Sequence, residues 1–254
     1  MNALILAAGY ATRLYPLTLN KAKPLLEVGG KPIIEWLFDN LVSVPQLRTV
    51  YIVTNDKFAT DFQNWANAYF ASASEKQDRH HDFQIKIIND GSTSDDDKLG
   101  AIGDINLVLT RENLMTDDLI VVAGDNLFEQ PLREFVEAAK KSPATVAVHD
   151  VGDFEAMKKY GTVTIDSKGV ITNFEEKPSK PKSTLAAVAL YYYSRETLPM
   201  FTTYLAAGNN PDQPGLFLQW LYPRKPVSTY EIKGRWLDIG SKETLADADK
   251  IFSR

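Results

Sequence analysis

Apolar residues run unbroken from position 3 to position 8, short and uniform enough to predict a strand buried on both faces of a parallel sheet. After a polar stretch the period changes: from about Pro32, the residues Ile33, Ile34, Leu37 and Leu41 fall on one helical face. Residues 49–54 return to a strand, 57–70 predict a second helix and 83–88 a third strand. Over 99–109 the stripe of Ile102, Ile105 and Leu109 predicts a helix, and the run 119–123 a fourth strand. A helix over 132–141, carried by Leu132, Phe135, Val136 and Ala139, leads into the buried strand 145–148.

Strands alternating with helices predict an α/β fold, with a mostly parallel central sheet covered on both faces. Beyond residue 150 the rhythm differs. Residues 162–165, 170–174 and 185–193 predict three strands with little helix between them, the pattern of a small antiparallel portion. Helices from about Glu196 and Gly215, a strand over 227–232 and a last helix from Lys242 follow. The expectation is a single domain over 1–254, its half 1–150 binding a nucleotide and its half 151–254 carrying an acceptor pocket. Two polar stretches, 71–82 and the Ser- and Asp-rich 90–98, predict surface loops.

With 254 residues, 44% of them apolar, the chain can bury a large core. A net charge of -5 argues against nucleic acid or an anionic membrane as partner, so an anionic substrate must meet locally clustered cations. Arg13, Lys21, Lys23 and Lys177 are the candidates, with a divalent metal supplying the remainder. The absence of cysteine excludes disulfides, thiolate nucleophiles and zinc–cysteine sites, and fits a reducing compartment. The first apolar run is too short for a signal peptide or a membrane span, so the expected location is the cytoplasm.

The first strand breaks at Gly9, which is expected to supply a sharp turn whose free N–H groups, followed by Arg13 and Lys23, suit a polyphosphate. Asp125 follows the strand 119–123 through Gly124, which places its carboxylate at the edge where open α/β sheets bind ligands. A helix-capping turn is the alternative there. Asp238, in Trp236-Leu-Asp-Ile-Gly240, is flanked by apolar residues, where an unpartnered carboxylate is costly. Two such acids can hold one Mg²⁺ and leave positions for phosphate and water. Asp95-Asp96-Asp97 contains an Asp-x-Asp but reads as a solvated loop, and His80, His81 and His149 lack zinc-site spacing.

From residue 3 to Gly240 these motifs, in order, resemble the sugar-1-phosphate nucleotidylyltransferases, although Ala11 stands where many members have glycine. The resemblance implies a Rossmann-like nucleotide-diphospho-sugar transferase fold. It implies that an NTP and a sugar 1-phosphate react to give an NDP-sugar and pyrophosphate. Arg13, Lys23 and Lys177 would be catalytic, Asp125 and Asp238 the Mg²⁺ ligands, and Leu6, Ala8, Gly9, Gly100 and Asp125 nucleotide-binding. Tyr160, Gly161, Glu176 and Lys177 would bind the sugar phosphate, with Tyr191 a further neighbour. In thymidylyltransferase members a Gln soon after the third strand reads the base; here Asn89 and Asp90 stand in that region as further nucleotide-binding candidates, either of which would pair with a base edge, and the base is left open. Also open are oligomeric state, a CTP-dependent cytidylyltransferase acting on a non-sugar phosphate such as phosphocholine, and a non-catalytic binding module.

Overall fold

In chain order the first half forms β1 (Asn2–Leu6), the hairpin β2 (Glu27–Val28) and β3 (Lys31–Pro32), α1 (Ile33–Leu41), β4 (Thr49–Thr54), α2 (Ala59–Glu75), β5 (Gln84–Asn89), α3 (Ala101–Arg111), β6 (Leu119–Ala123), β7 (Asn126–Phe128), α4 (Arg133–Ala139) and β8 (Ala144–Asp150). The second half adds α5 (Phe154–Met157), β9 (Gly161–Ile165), β10 (Ile171–Glu175), β11 (Leu185–Tyr193), α6 (Pro199–Ala206), α7 (Pro214–Leu221), β12 (Val227–Glu231), β13 (Trp236–Asp238) and α8 (Lys242–Phe252). The structure, a computed structural model, describes residues 1–75 and 83–253, so His80 and His81 lie outside the described residues.

Four parallel strands, in the order β6-β1-β4-β5, form the floor of the molecule. Alternate residues of β1 explain its uniform apolar run: Ala3 and Ile5 pack under α1, α2 and α4, while Leu4 packs under α3, α6 and α7. With both faces covered, Asn2 to Ile5 are buried, and Leu6 at the strand's end is half-buried. The antiparallel strands expected beyond residue 150 are present, and β11 joins them to the parallel floor in one nine-stranded sheet by pairing with β6, β8 and β9. Tyr191 and Tyr193 face one side of that sheet and Tyr192 the other. No helix among the described residues is long and apolar enough to cross a membrane.

A third, smaller apolar cluster bears on the ligand side of the sheet. It gathers Leu14 and Leu26 from the stretch after β1, Leu127 from β7, Ile239 after β13 and Ala248 from α8. The helix α8 is thereby packed against the segments that carry Arg13, Lys23 and both candidate metal acids. Its own start is secured by a capping box between Ser241 and Thr244.

Candidate active site

A cleft of about 500 Å³ opens at the carboxyl edge of β1 and β6, where strand ends and helix starts leave backbone groups free to meet a ligand. Leu6, Gly9 and Arg13 line it from the first strand and its loop. The strand ends at Leu6 rather than Ala8, since the backbone departs from the sheet after Ala7, whose N–H still donates to Val53 O at 2.9 Å. Gly9 itself does not hold a positive φ. The left-handed residue of this loop is Ala11, at φ 50° and ψ 44°, its carbonyl accepting from Thr18 Oγ1 at 2.8 Å. A Cβ on Gly9 would meet nothing within 4 Å, so its bare Cα keeps open space in the cleft instead of relieving a clash.

Lys23 reaches across this opening. Its Nζ donates to Asp125 Oδ2 at 2.5 Å and to the Ile239 carbonyl at 3.0 Å, tying the loop after β1 to the turns after β6 and β13. Asp125 Oδ1 accepts from Asn126 Nδ2 at 2.8 Å, and Asn126 Oδ1 accepts from Trp236 Nε1 at 2.6 Å. The antiparallel pairing of β7 with β13 sets Asp238 opposite Asn126, and Ile239 N donates to the Asp125 carbonyl at 3.0 Å. The two acids, remote in sequence, therefore share one wall of the cleft. Burial, and then the charge of Asp125, push the Asp238 carboxyl up to about 6 against the opposing pull of Lys23, Arg13 and Lys177.

Like charges brought this close leave the wall short of positive charge beyond what Lys23 supplies. Two carboxylates facing an open, phosphate-sized space fit a hard divalent ion such as Mg²⁺, which binds through one or two protein oxygens plus phosphate and water. Among the described residues no group of three or more His, Cys, Asp or Glu is gathered, so a closed protein cage is not on offer.

The opposite end of the cleft is built on two glycines. Glu176 follows β10, and its Oε2 lies where it would meet a Cβ on Gly215 at 1.7 Å and one on Gly161 at 3.0 Å. Only bare backbone from β9 and α7 lets the carboxylate seat there. That burial pushes Glu176 above the ordinary glutamate range, with Lys177 opposing. Lys177 holds a left-handed φ of 45°, and its Nζ donates to Gln213 Oε1 at 2.9 Å. Tyr160 stands edge-on to Trp236 at 5.2 Å between ring centroids, beside Asp238. Tyr191, 4% exposed, lines the cleft from β11.

Leu6, Gly9, Arg13, Lys23, Asp125, Asp238, Tyr160, Gly161, Glu176 and Lys177 are thus brought together around one cleft. Ala8, Asn89, Asp90 and Gly100 are not among its lining residues. The side chain of Asn89 is engaged with Asp56 and with Gly91 N, and that of Asp90 with Ser92. Gly100 is needed where it is, at φ 76°, because a Cβ would meet the Pro211 carbonyl at 2.6 Å; its close approach is to the chain's own backbone. From the loop 90–98, Asp95 reaches the cleft, and Lys98 at the loop's end reaches it too, whereas Asp97 is spent on Thr93 and Ser94. Those bonds hold the Asp97 carboxyl at about 2. Gln213, Gly215 and Lys159 line the cleft without any motif to signal them, and Trp236 was visible only as a neighbour of Asp238.

A profile of the nucleotidyl transferase family matches residues 2–253. The UTP–glucose-1-phosphate uridylyltransferase AglF of Haloferax volcanii is 30% identical over 196 residues, 76% of this chain and 72% of that protein. The glucose-1-phosphate adenylyltransferase of Bacillus subtilis is 28% identical over 97% of this chain and 66% of its own length. The bifunctional protein GlmU of Methanocaldococcus jannaschii is 25% identical over 99% of this chain, which spans 54% of that relative's length. A UDP-glucose pyrophosphorylase solved with UDP-glucose has the same fold, with a TM-score of 0.81 at 20% identity over 99% of this chain and 97% of that one. Matched along nearly its whole length by the family profile, the chain belongs to the nucleotidyl transferase family.

Proposed function

We propose that the chain joins an NTP to a sugar 1-phosphate, giving an NDP-sugar and pyrophosphate. The observation that carries this reading is the convergence of Asp125, Asp238 and Lys23 on one cleft wall, with Arg13 on one side and Glu176–Lys177 on the other. Two of the relatives named above, the adenylyltransferase and the uridylyltransferase, act by their names on glucose 1-phosphate with different bases, which supports a sugar acceptor and leaves the base open.

An acceptor phosphate is already a nucleophile, so catalysis reduces to placing two mutually repelling anions in line. One oxygen of the acceptor phosphate forms a bond to the α-phosphorus as the bond from that phosphorus to the bridging oxygen breaks, and the electron pair leaves on pyrophosphate. Arg13 and Lys23 stabilise the charge growing on the leaving side, and Lys177 orients the incoming phosphate. Glu176, held in its glycine cradle, accepts hydrogen bonds from sugar hydroxyls, and Tyr160 and the Gly161 backbone border the ring. Asp125 and Asp238 would hold Mg²⁺, which when bound supplies Lewis-acid polarisation of the phosphate.

Pyrophosphate release, measured for each common NTP against several sugar 1-phosphates and phosphocholine, tests the reading. Release with at least one NTP and sugar phosphate pair, reduced about 10² to 10³-fold by Arg13→Ala, is expected. Binding without release in every combination overturns it in favour of a binding module. Phosphocholine displacing every sugar phosphate as acceptor overturns the sugar assignment alone.

A further inference from the structure

At the acceptor end of the cleft, α7 grips the turn at Glu176 and Lys177 in more than one place. Gln219 Oε1 accepts from the Glu176 N–H at 3.0 Å, the bare backbone of Gly215 seats the Glu176 carboxylate, and Gln213 Oε1 accepts from Lys177 Nζ at 2.9 Å. Lys177 holds a left-handed φ of 45° directly before Pro178, a backbone state that a residue with a side chain keeps only with support from outside. Gln219 and Gly215 hold the backbone and the carboxylate beside it. Only the Gln213 contact reaches the ammonium.

Gln213 is itself fixed from two directions. The carbonyls of Pro211 and Asp212 accept from Ile102 N at 2.8 Å and Ala101 N at 3.1 Å, taking up donors that the start of α3 leaves free. On the other side Pro214 opens α7, and the Gln213 carbonyl accepts from Leu216 N at 3.0 Å. The Gln213 side chain makes no capping bond to the helix, so its amide is left to Lys177.

A lysine ammonium only donates, so Oε1 must face Nζ and Nε2 turns away from it. Among the described residues the carboxylate paired with Nζ is that of Glu176, at 3.9 Å, beyond hydrogen-bonding range. The side chain of Lys177 is 49% exposed and flexible, so the acceptor it meets decides where its charge stands. An amide oxygen aims the ammonium and leaves its charge whole for a phosphate. A carboxylate in the same place would cancel that charge and repel the phosphate.

We propose that Gln213 is a positioning residue for the acceptor phosphate: its amide oxygen sets the Lys177 ammonium in the cleft without neutralising it. This inference rests on the reading of Lys177 as the cation that meets that phosphate.

The test compares wild type with Gln213→Ala, Gln213→Glu, Lys177→Met and the double variant carrying Gln213→Ala and Lys177→Met, each assayed for pyrophosphate release. Gln213→Ala raises KM for the sugar 1-phosphate about fivefold, as expected for one half-exposed hydrogen bond to a charged group, and leaves KM for the NTP within about twofold. Gln213→Glu raises acceptor KM at least about tenfold, and its excess over wild type shrinks between about 0.05 and 0.5 M salt as the added charge is screened. In the Lys177→Met background, Gln213→Ala changes acceptor KM by less than about twofold, because the group it positions is gone. An unchanged acceptor KM in Gln213→Ala overturns the proposal, and so does an equal rise with and without Lys177. Should Gln213→Glu fail to fold, the cycle of Ala and Met variants decides alone. A second readout needs no substrate: acetylation of Lys177 in the ligand-free proteins, followed by peptide mass spectrometry, is faster than wild type in Gln213→Ala and slower in Gln213→Glu. Equal labelling in all three overturns the contact. If the labelling order holds but no NTP yields pyrophosphate, the proposed function fails while the positioning contact stands.

Discussion

Lys23 Nζ and Asp125 Oδ2 lie 2.5 Å apart at the mouth of the cleft, with side chains 15% and 22% exposed. A partly dehydrated contact of this kind makes Lys23 both a counter-charge for the candidate metal acids and a competitor of any cation they would hold. Replacing it separates the two roles. In Lys23→Met the ligand-free protein melts lower, because Asp125 loses its ion-pair partner and the two acids keep only the more weakly acting Arg13 and Lys177 as counter-charges. Added Mg²⁺ then raises its melting temperature by more than it raises that of wild type, while turnover falls about 10² to 10³-fold. Equal stabilisation of both proteins by Mg²⁺ would show that the lysine and the metal do not share Asp125.

Gly9→Ala isolates the opening beside β1. Since a Cβ there meets nothing within 4 Å, and the residue does not hold a positive φ, the variant should melt within about a degree of wild type. The added methyl enters the space assigned to the nucleotide, so KM for the NTP should rise at least about tenfold with acceptor KM little changed. Calorimetric titration with the NTP reads this directly, and an unaltered affinity would remove Gly9 from the nucleotide side.

Ala11 occupies the left-handed region that glycine enters freely, at φ 50°. Ala11→Gly relieves that strain at the expense of a more flexible unfolded chain, so its stability should match or exceed that of wild type. Ala11→Val, with a branched side chain in the same conformation, should lose about 1 to 3 kcal/mol. Chemical denaturation of the three proteins orders them; Val as stable as Ala would mean that the loop does not hold this conformation in solution.

Gly215 offers a test in which helix propensity and packing have opposite signs. In α7 an alanine is favoured over glycine by roughly 1 kcal/mol, yet its Cβ would fall 1.7 Å from Glu176 Oε2. Gly215→Ala should therefore displace Glu176 and raise KM for the sugar phosphate at least about tenfold, leaving KM for the NTP near wild type. A variant with improved stability and an unchanged acceptor KM would show that Glu176 has no part in acceptor binding.

Much of the scaffold was legible from periodicity, because whether a segment is strand or helix depends on which of its neighbours face water. The bounds of β4, β6 and β11 coincide with those read from the apolar pattern, as does the helical stripe of Ile102, Ile105 and Leu109. Residue motifs and family resemblance together pointed to Arg13, Lys23, Asp125, Glu176, Lys177 and Asp238, which do surround one cleft. The hairpin β2–β3 and the pair β7–β13 escaped, since strands of two or three residues are too short to show a period.

Local order along the chain, one strand or helix after another, is written in side-chain chemistry at spacings of two to four residues, and it carried over into the folded protein. Distances between remote residues are not written at that spacing. The meeting of Asp238 with Asp125 depends on the register of β13 against β7, and the seat of Glu176 on how closely α7 approaches β9. That Asp95 and Lys98 reach the cleft while Asn89 and Asp90 do not follows from how the loop is bonded to itself and to Asp56. Each is a product of long-range packing, in which many contacts are satisfied at once, and no single segment of the chain contains the information.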